Sequence, residues 1–541
     1  MDESELQLVP PVVGDIATTG STSANSNQNV ARITAEPAQE PPAVSVTTST
    51  AVVAKPDVPS SATGTSRPVE FLRDLPKKTG VFIGQNGIPY ATMTDAPNRY
   101  ALAVGSRALN NFIRKEALKA GLALKNKDIS EINDVLKAHA EMAGIVKNVF
   151  YRSAPIDGGV QLDVGDDQHT RISITAGKVE TVTEDSEVIF FRTAASQPLA
   201  LPAELGNIKL LKKYLNMRDE AAVLFIAWLT YTIAHPKVAT SKFLILVLMG
   251  NQGSGKSLLC RLILRLLDPS MIGIQVMPSN VKDLAIAAQN AHVLCYDNLR
   301  DIKQWMADIL CIAATGGSMA SRQLYTDADL QVIYLHVALV LNGIHSFIDQ
   351  PDLAQRCLPL QLITLPEGNR KSEVQLEKEL LGDLPSIMRG LYELIASIFT
   401  HLPSVQVTNP ERMIDFVYWL AAFEAAQGVP TGVYQTAYSD ALQQGQLDSL
   451  LDNPLAAAVI QFAEDYDDDE WEGTPADFLA RLNLITSNGT QRSRDWPQNP
   501  IALSKRLIPL QAGLQSQGIG VQLGRGKNRT ITVAVKGRNH D

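Results

Sequence analysis

Gly250-Asn251-Gln252-Gly253-Ser254-Gly255-Lys256-Ser257 stands between the apolar run FLILVLM (243–249) and the amphipathic stretch SLLCRLILRLL (257–267). The order is strand, glycine loop, helix, and the spacing is G-x-x-x-x-G-K-S. Phosphate oxygens are bound closely only where backbone N–H groups turn inward. Glycine permits that approach, and the N-terminus of the following helix adds its partial positive charge. Gly250, Gly253, Ser254, Gly255, Lys256 and Ser257 are therefore the expected phosphate-binding residues. Lys256 is placed to reach the β and γ phosphates of ATP, and Ser257 to hold Mg²⁺.

A second apolar strand, HVLCYDN, ends about forty residues on at Asp297, where a nucleotide-binding α/β protein puts the carboxylate that orients the magnesium shell. Asn298 follows, an amide that can hydrogen-bond an attacking water but cannot take its proton. A third strand, LHVALVLN, ends at Asn342, an amide suited to polarising water and sensing a γ-phosphate. Between these strands lie a helix, IKQWMADILCIAATGG, and a segment with the period of a hairpin, SRQLYTDADLQVIYL, with TDAD at or near its turn. Arg322 and Tyr325 stand on its first arm. Arg356 lies in QPDLAQRCLPLQL, after a helix start at Pro351-Asp352 and before another strand.

This order of glycine loop, strand carboxylate, hairpin, strand amide and arginine resembles the superfamily 3 helicases, a branch of the AAA+ ATPases, and most of all the ATPase module of helicase-primases from viruses, phages and mobile elements. The resemblance covers about 207 to 400. It implies a hexameric homo-oligomeric ring, a hairpin that grips single-stranded DNA in the channel, and an arginine that completes a neighbour's ATP site. Carried over by position, Lys256, Ser257, Asp297 and Asn342 are ATP-site residues, with Asn298 beside them. Arg322 and Tyr325 are then DNA-gripping residues and Arg356 the trans arginine. The chain departs from the pattern at Asn298, which replaces an acidic partner, and the hairpin has no lysine of its own. No acidic triad of a primase site precedes the ATPase, so primer synthesis is not expected.

Working outward, 541 residues exceed what one core usually organises. Residues 1–69 are rich in Ser, Thr, Ala, Pro and Val with no aromatic before Phe71, which predicts a disordered tail. Residues 70–205 alternate strand-like runs (GVFIG, IPYATMT, GVQLDV, RISITA, EVIFFRT) with helical stretches at 104–121 and 128–145, a small α+β domain of unassigned role. A helical collar (206–241) leads into the ATPase core (242–365) and a helical lid region (366–452), with helices expected at 372–381, 383–401 and 409–427. The acidic run EDYDDDEWE sits in an expected linker, 453–475. The fold class expected is multidomain α/β, a P-loop AAA+ core with a small α+β N-terminal domain and a C-terminal winged helix.

The net charge of −9 excludes a basic nucleic-acid coat protein, so any DNA contact is local. From Arg481 onward ten Lys or Arg stand against two Asp. The runs PADFLARLNLI, IALSKRLIPLQAGLQSQG, GVQLGRG and RTITVAV have the order of a winged helix (476–541), and the same architecture closes many helicase-primase chains. Arg492, Arg494, Lys505, Arg506, Arg525, Lys527 and Arg529 are its expected duplex-DNA contacts. The apolar stretch Ala221 to Ala234 is too short to cross a bilayer and reads as a buried helix. The leading MDESELQLVPP lacks the basic start of a secretory signal, and the four cysteines form no C-x-x-C pair, so a cytoplasmic protein without membrane contact is expected. The function expected is an ATP-dependent DNA helicase or translocase in replication initiation of a phage or mobile element. Its rivals are a slowly hydrolysing, nucleotide-regulated DNA-binding switch and a protein-remodelling ATPase.

Overall fold

The computed structural model describes residues 75, 79–93, 100–182, 187–322, 330–344, 346–348, 350–364, 372–408, 410–466, 468–493, 496–524 and 530–535. The expected tail, 1–69, lies outside them.

The glycine loop belongs to a run of α1 (Asp219–Ala234), β1 (Ile245–Met249), α2 (Lys256–Leu267), α3 (Val281–Gln289), β2 (Val293–Leu299), α4 (Gln304–Thr315), β3 (Gly317–Arg322), β4 (Leu330–Leu335), β5 (Ala338–Gly343), α5 (Pro351–Ala354) and β6 (Cys357–Gln361). Strands β2, β5, β1 and β6 form a parallel sheet in that order. A parallel sheet must be covered on both faces, and period-2 alternation supplies two apolar sides. Leu246, Leu248, Val340 and Leu358 pack into one core with α1 and α2, while Ile245, Val247, Leu339 and Leu341 pack into the other with α3 and α4.

Helix α1 is buried on nearly every side, as its composition predicts, and its polar atoms are matched internally. Trp228 Nε1 donates to the Leu244 carbonyl at 2.7 Å and Tyr231 Oη to that of Lys242 at 2.6 Å, fixing the helix against the chain that enters β1. The collar pattern NIKLLKKYLN forms a 3₁₀ helix, Ile208–Tyr214, rather than an α-helix. Helices α6 (Glu373–His401), α7 (Ile414–Ala426) and α8 (Val433–Asp452) complete this part. The two helices expected at 372–381 and 383–401 are one helix. Pro385 costs it a rung, but Leu380, Leu384 and Ile387 on the buried side hold both halves to the same core.

Residues 79–191 carry two sheets. One is six-stranded and mixed, flanked by helices Arg107–Lys119 and Asn126–Ala143; the other is a four-stranded antiparallel meander, Ser153–Ile156 through Lys178–Val182. The expectation of one small α+β domain over 70–205 is corrected for the meander alone, since the six-stranded sheet and its helices pack in clusters of their own, with Leu109 and Leu136 in one and Phe82 and Tyr90 in another. Val160, Leu162, Ile172 and Ile174 of the meander share one core with α1, α2 and α6.

The expected acidic linker is also corrected. Within 453–475 the chain forms α9 (Pro454–Asp465) and β7 (Glu470–Gly473), followed by α10 (Pro475–Ile485), α11 (Asn488–Gln491), α12 (Pro500–Ser516), β8 (Ile519–Leu523) and β9 (Ile531–Val535). Strands β7, β9 and β8 pair antiparallel in that order, with Trp471 opposite Val533. The acids hid an aromatic face. Trp471 is buried, stacks on Phe478 at 4.9 Å and meets Phe462 edge-on.

Candidate functional site

Three glycines give the loop after β1 its shape, with φ 152° at Gly250, 81° at Gly253 and 88° at Gly255. A Cβ on Gly250 would stand 2.8 Å from Ser254 Oγ and 3.0 Å from the Leu362 carbonyl, so the loop closes only with glycine there. Ser254 is fully buried, and its Oγ has no hydrogen-bond partner among the described residues. Gly255 caps α2, which places the first amides of that helix beside the loop.

Lys256 Nζ donates to the carbonyls of Gly250 at 2.6 Å and Asn251 at 3.1 Å, so its ammonium crosses the loop's own mouth. Burial lowers its pKa, and the Asp297 carboxylate offsets part of that. Ser257 Oγ donates to Asp297 Oδ2 at 2.8 Å, which joins the start of α2 to β2.

Strand β2 was expected to end at Asp297. It continues to Leu299 through a bulge, since its pairing with β5 shifts between Tyr296 and Leu299. Asn298 takes φ 60° in this bulge, a left-handed conformation that asparagine adopts more readily than most residues, and its side chain is exposed. Asn342 on β5 is fully buried. Its Oδ1 accepts the Asn298 N–H at 3.1 Å and its Nδ2 donates to Cys260 Sγ at 3.2 Å. The structure therefore brings Lys256, Ser257, Asp297, Asn298 and Asn342 to one end of the parallel sheet. Asn342, expected to face a phosphate, has both ends of its amide engaged by protein.

Asn216 was missed. Its Nδ2 donates to the Ser254 carbonyl at 3.0 Å and also to the Ile363 carbonyl, clamping the loop from the collar. In sequence it is one asparagine at the end of an amphipathic run, and nothing local marks it.

Arg356 lies elsewhere. Its carbonyl accepts the Ile245 N–H at 2.9 Å, at the entry of β1 and β6, whereas the glycine loop leaves the far end of β1. Five residues of strand, roughly 16 Å, separate the two ends. The guanidinium pairs with Asp352 at 2.6 Å, and Arg412 holds the other oxygen of that carboxylate at 2.7 Å. Arg356, through its hydrogen bond first, holds the Asp352 carboxyl below its usual range.

Strands β3 and β4 form the expected hairpin, Gly317 opposite Leu335 through Arg322 opposite Leu330. Arg322 is the last residue of β3. Tyr325 lies outside the described residues, as do Arg494, Arg525, Lys527 and Arg529. Arg492 and Lys505 are exposed and Arg506 is half-buried. Among the described residues no cluster of His, Cys, Asp and Glu could hold a metal by itself, and no helix is long and apolar enough to cross a membrane.

Fold and site together define a mixed helix–strand, multidomain protein with a glycine loop and a hydroxyl–carboxylate pair at the carboxyl end of its central parallel sheet. Residues 208–447 match the family model described as actinomycete integrative conjugative element replication protein, and residues 455–540 match that of the AICE RepA C-terminal domain. Over both segments the chain is similar to the replication protein of a mobile element. The join between the matches falls where α8 gives way to α9. No protein of curated function matches the chain in sequence. Similar solved structures include the apo C-terminal region of NrS-1, at 12% identity and TM-score 0.35, covering 87% of this chain and 99% of that one. Another apo structure of that region stands at 14% identity and TM-score 0.34, covering 87% of this chain and 100% of that one. JCV helicase with a small molecule bound stands at 12% identity and TM-score 0.19, covering 42% of this chain and 67% of that one.

Proposed function

We propose that the protein is an ATP-dependent DNA helicase or translocase of superfamily 3 type, acting in replication initiation of a mobile element. The observation that carries this reading is the bond from Ser257 Oγ to Asp297 Oδ2, which sets a loop hydroxyl and a strand carboxylate beside Lys256 at one sheet end. The buried Ser254 Oγ and the amides that open α2 suit the same anion. Both oxygens of the Ser257–Asp297 pair are of the hard type that Mg²⁺ takes, so these two residues would hold it. When bound, Mg²⁺ would offset charge developing on the β and γ phosphates. Lys256 orients those phosphates and Asn298 positions water. Arg356 acts on a neighbour's site in a homo-oligomeric ring. The order α9, β7, α10, α12, β8, β9 and the β7-β9-β8 sheet suit a winged helix whose exposed Arg492 and Lys505 meet duplex phosphates. Single-stranded DNA passes the β3–β4 hairpin.

The test is ATP turnover by the whole protein, with and without single-stranded DNA. Several-fold acceleration is expected from a translocase. Turnover indifferent to DNA would instead fit a protein-remodelling ATPase, and none at all would end the ATPase reading. One observation favours a second reading: Asn298 stands where a proton acceptor is usual, which suits a DNA-binding switch that hydrolyses slowly. That reading expects nucleotide-dependent duplex binding with turnover that DNA leaves unchanged.

A further inference from the structure

Beneath the loop a chain of contacts joins three elements that sequence spacing does not connect. Cys295 Sγ on β2 donates to the Cys260 carbonyl at 3.9 Å; Cys260 Sγ on α2 accepts from Asn342 Nδ2 at 3.2 Å; Asn342 Oδ1 on β5 accepts the Asn298 N–H at 3.1 Å. Cys260, Cys295 and Asn342 are all fully buried.

A buried primary amide can present either its oxygen or its nitrogen to a neighbour, and its partners decide which. Asn298 offers an N–H and so demands the oxygen. The nitrogen then needs an acceptor on the opposite side, where α2 supplies only a sulfur. The sulfur is a weak acceptor, but it is the group that makes the observed orientation self-consistent. That orientation holds the bulge. With the Asn298 N–H tied down, Asn298 keeps φ 60° and the preceding Asp297 keeps its carboxylate 2.8 Å from Ser257 Oγ.

We propose that Cys260 is a positioning residue of the ATP site, acting through Asn342 to fix the Asp297–Asn298 bulge against the glycine-loop helix. The inference rests on the ATPase reading above and adds a residue to it. Cys260 lies one helical turn beyond Ser257, so any shift of α2 as the loop grips phosphate passes through the sulfur to the bulge. A plain core cysteine would tolerate any small side chain. A positioning cysteine requires an acceptor.

The test uses the full chain as wild type, Cys260→Ala and Cys260→Ser. Backbone hydrogen exchange across residues 296–299 is followed without nucleotide, and kcat and KM for ATP are measured in parallel. Alanine removes the acceptor, so the Asn298 amide should exchange roughly tenfold faster, and kcat should fall roughly tenfold with KM within about twofold. Serine supplies an oxygen acceptor and should restore both to within about threefold. Unchanged exchange in Cys260→Ala beside normal wild-type turnover would overturn this proposal alone, as would a serine variant as impaired as alanine. A wild type without turnover would remove the ATPase reading, and the positioning role with it.

Discussion

Lys256 faces its own loop rather than the core, so its replacement tests chemistry without testing the fold. Lys256→Ala should lose hydrolysis and most nucleotide affinity while its thermal midpoint without nucleotide stays within about 2 °C of wild type. Fluorescent-nucleotide titration beside a melting curve checks both halves of that statement. His292 makes the opposite case, a residue with structural rather than chemical consequence. Its ring is buried, Nε2 contacts the Thr232 carbonyl at 3.0 Å and Nδ1 has no partner among the described residues, so the neutral ring donating from Nε2 fits the site. Burial lowers its pKa to about 4. A folded-state pKa below the unfolded value of about 6.5 means that the unfolded chain binds the extra proton first. The stability contributed is complete above about pH 6.5 and is lost as pH falls toward 4, by up to about 3 kcal/mol. In His292→Gln, which keeps an N–H for Thr232, chemical denaturation at pH 7 and pH 4.5 should show a smaller difference than in wild type. At this scale the sequence was legible for part of the site only, since it did not show Asn342 turned to protein at both ends of its amide. Lys256, Ser257 and Asp297 meet at one sheet end, whereas Asn216 and Cys260 act through contacts that only the folded chain creates.

Elements were legible where a period or a breaker marked them, and less so where tertiary packing decided. The continuous apolar runs of β1 and β5 marked them as strands, and such runs suit a parallel sheet covered on both faces. The run EDYDDDEWE announced solvent, because four aspartates and three glutamates outvote one tryptophan by composition, although strand register turns Trp471 inward. The meander shows the same limit. Arg152, at its start, has φ 64° and is 3% exposed; its Nε meets Asp268 at 2.8 Å, and its other nitrogens reach the Val164, Gln197 and Pro269 carbonyls. Asp268 caps the C-terminal end of α2 and also accepts the His292 N–H at 2.6 Å and the Tyr151 hydroxyl at 3.1 Å. One buried ion pair thus ties the meander to the far end of the glycine-loop helix. Removing one partner strands the other charge, so Arg152→Met should cost about 3–5 kcal/mol. Arg152→Met combined with Asp268→Leu should cost less than the single change, since no buried charge is then uncompensated. Denaturant midpoints of the three proteins decide it, and a double variant less stable than Arg152→Met would show that Asp268 matters chiefly as a cap.

At the scale of the whole molecule the parts with separate cores should fail separately. Truncation before α9 removes a domain whose buried cluster, including Leu455, Trp471, Trp496 and Leu507, leaves Leu450 of α8 behind. Cutting at Arg481 would instead split α10 and deprive β7 of β9. A chain ending at Asn453 should keep ATP turnover while duplex affinity falls and its salt dependence flattens, because fewer phosphates are neutralised. Unchanged affinity and salt slope would make the basic C-terminal domain a cap on the rest of the chain rather than a DNA contact. Arg356 carries the test of assembly. It stands at the entry end of β6, roughly 16 Å of strand from the loop beyond β1, so it cannot serve the site of its own chain. It is also held in an ion pair with Asp352, which Arg412 shares. If it serves a neighbour, Arg356→Ala should bind ATP normally and lose turnover, by as much as roughly a thousandfold. Asp352→Asn, which loosens the pair without removing the arginine, should leave turnover largely intact. Mixing Arg356→Ala with Lys256→Ala should then recover activity that neither has alone, because some interfaces of a mixed ring unite an intact Lys256 with an intact Arg356. Turnover in the mixture no higher than the sum of the two variants, with a wild type that stays monomeric in ATP, would assign Arg356 to the Asp352–Arg412 pair alone and remove the ring from the mechanism.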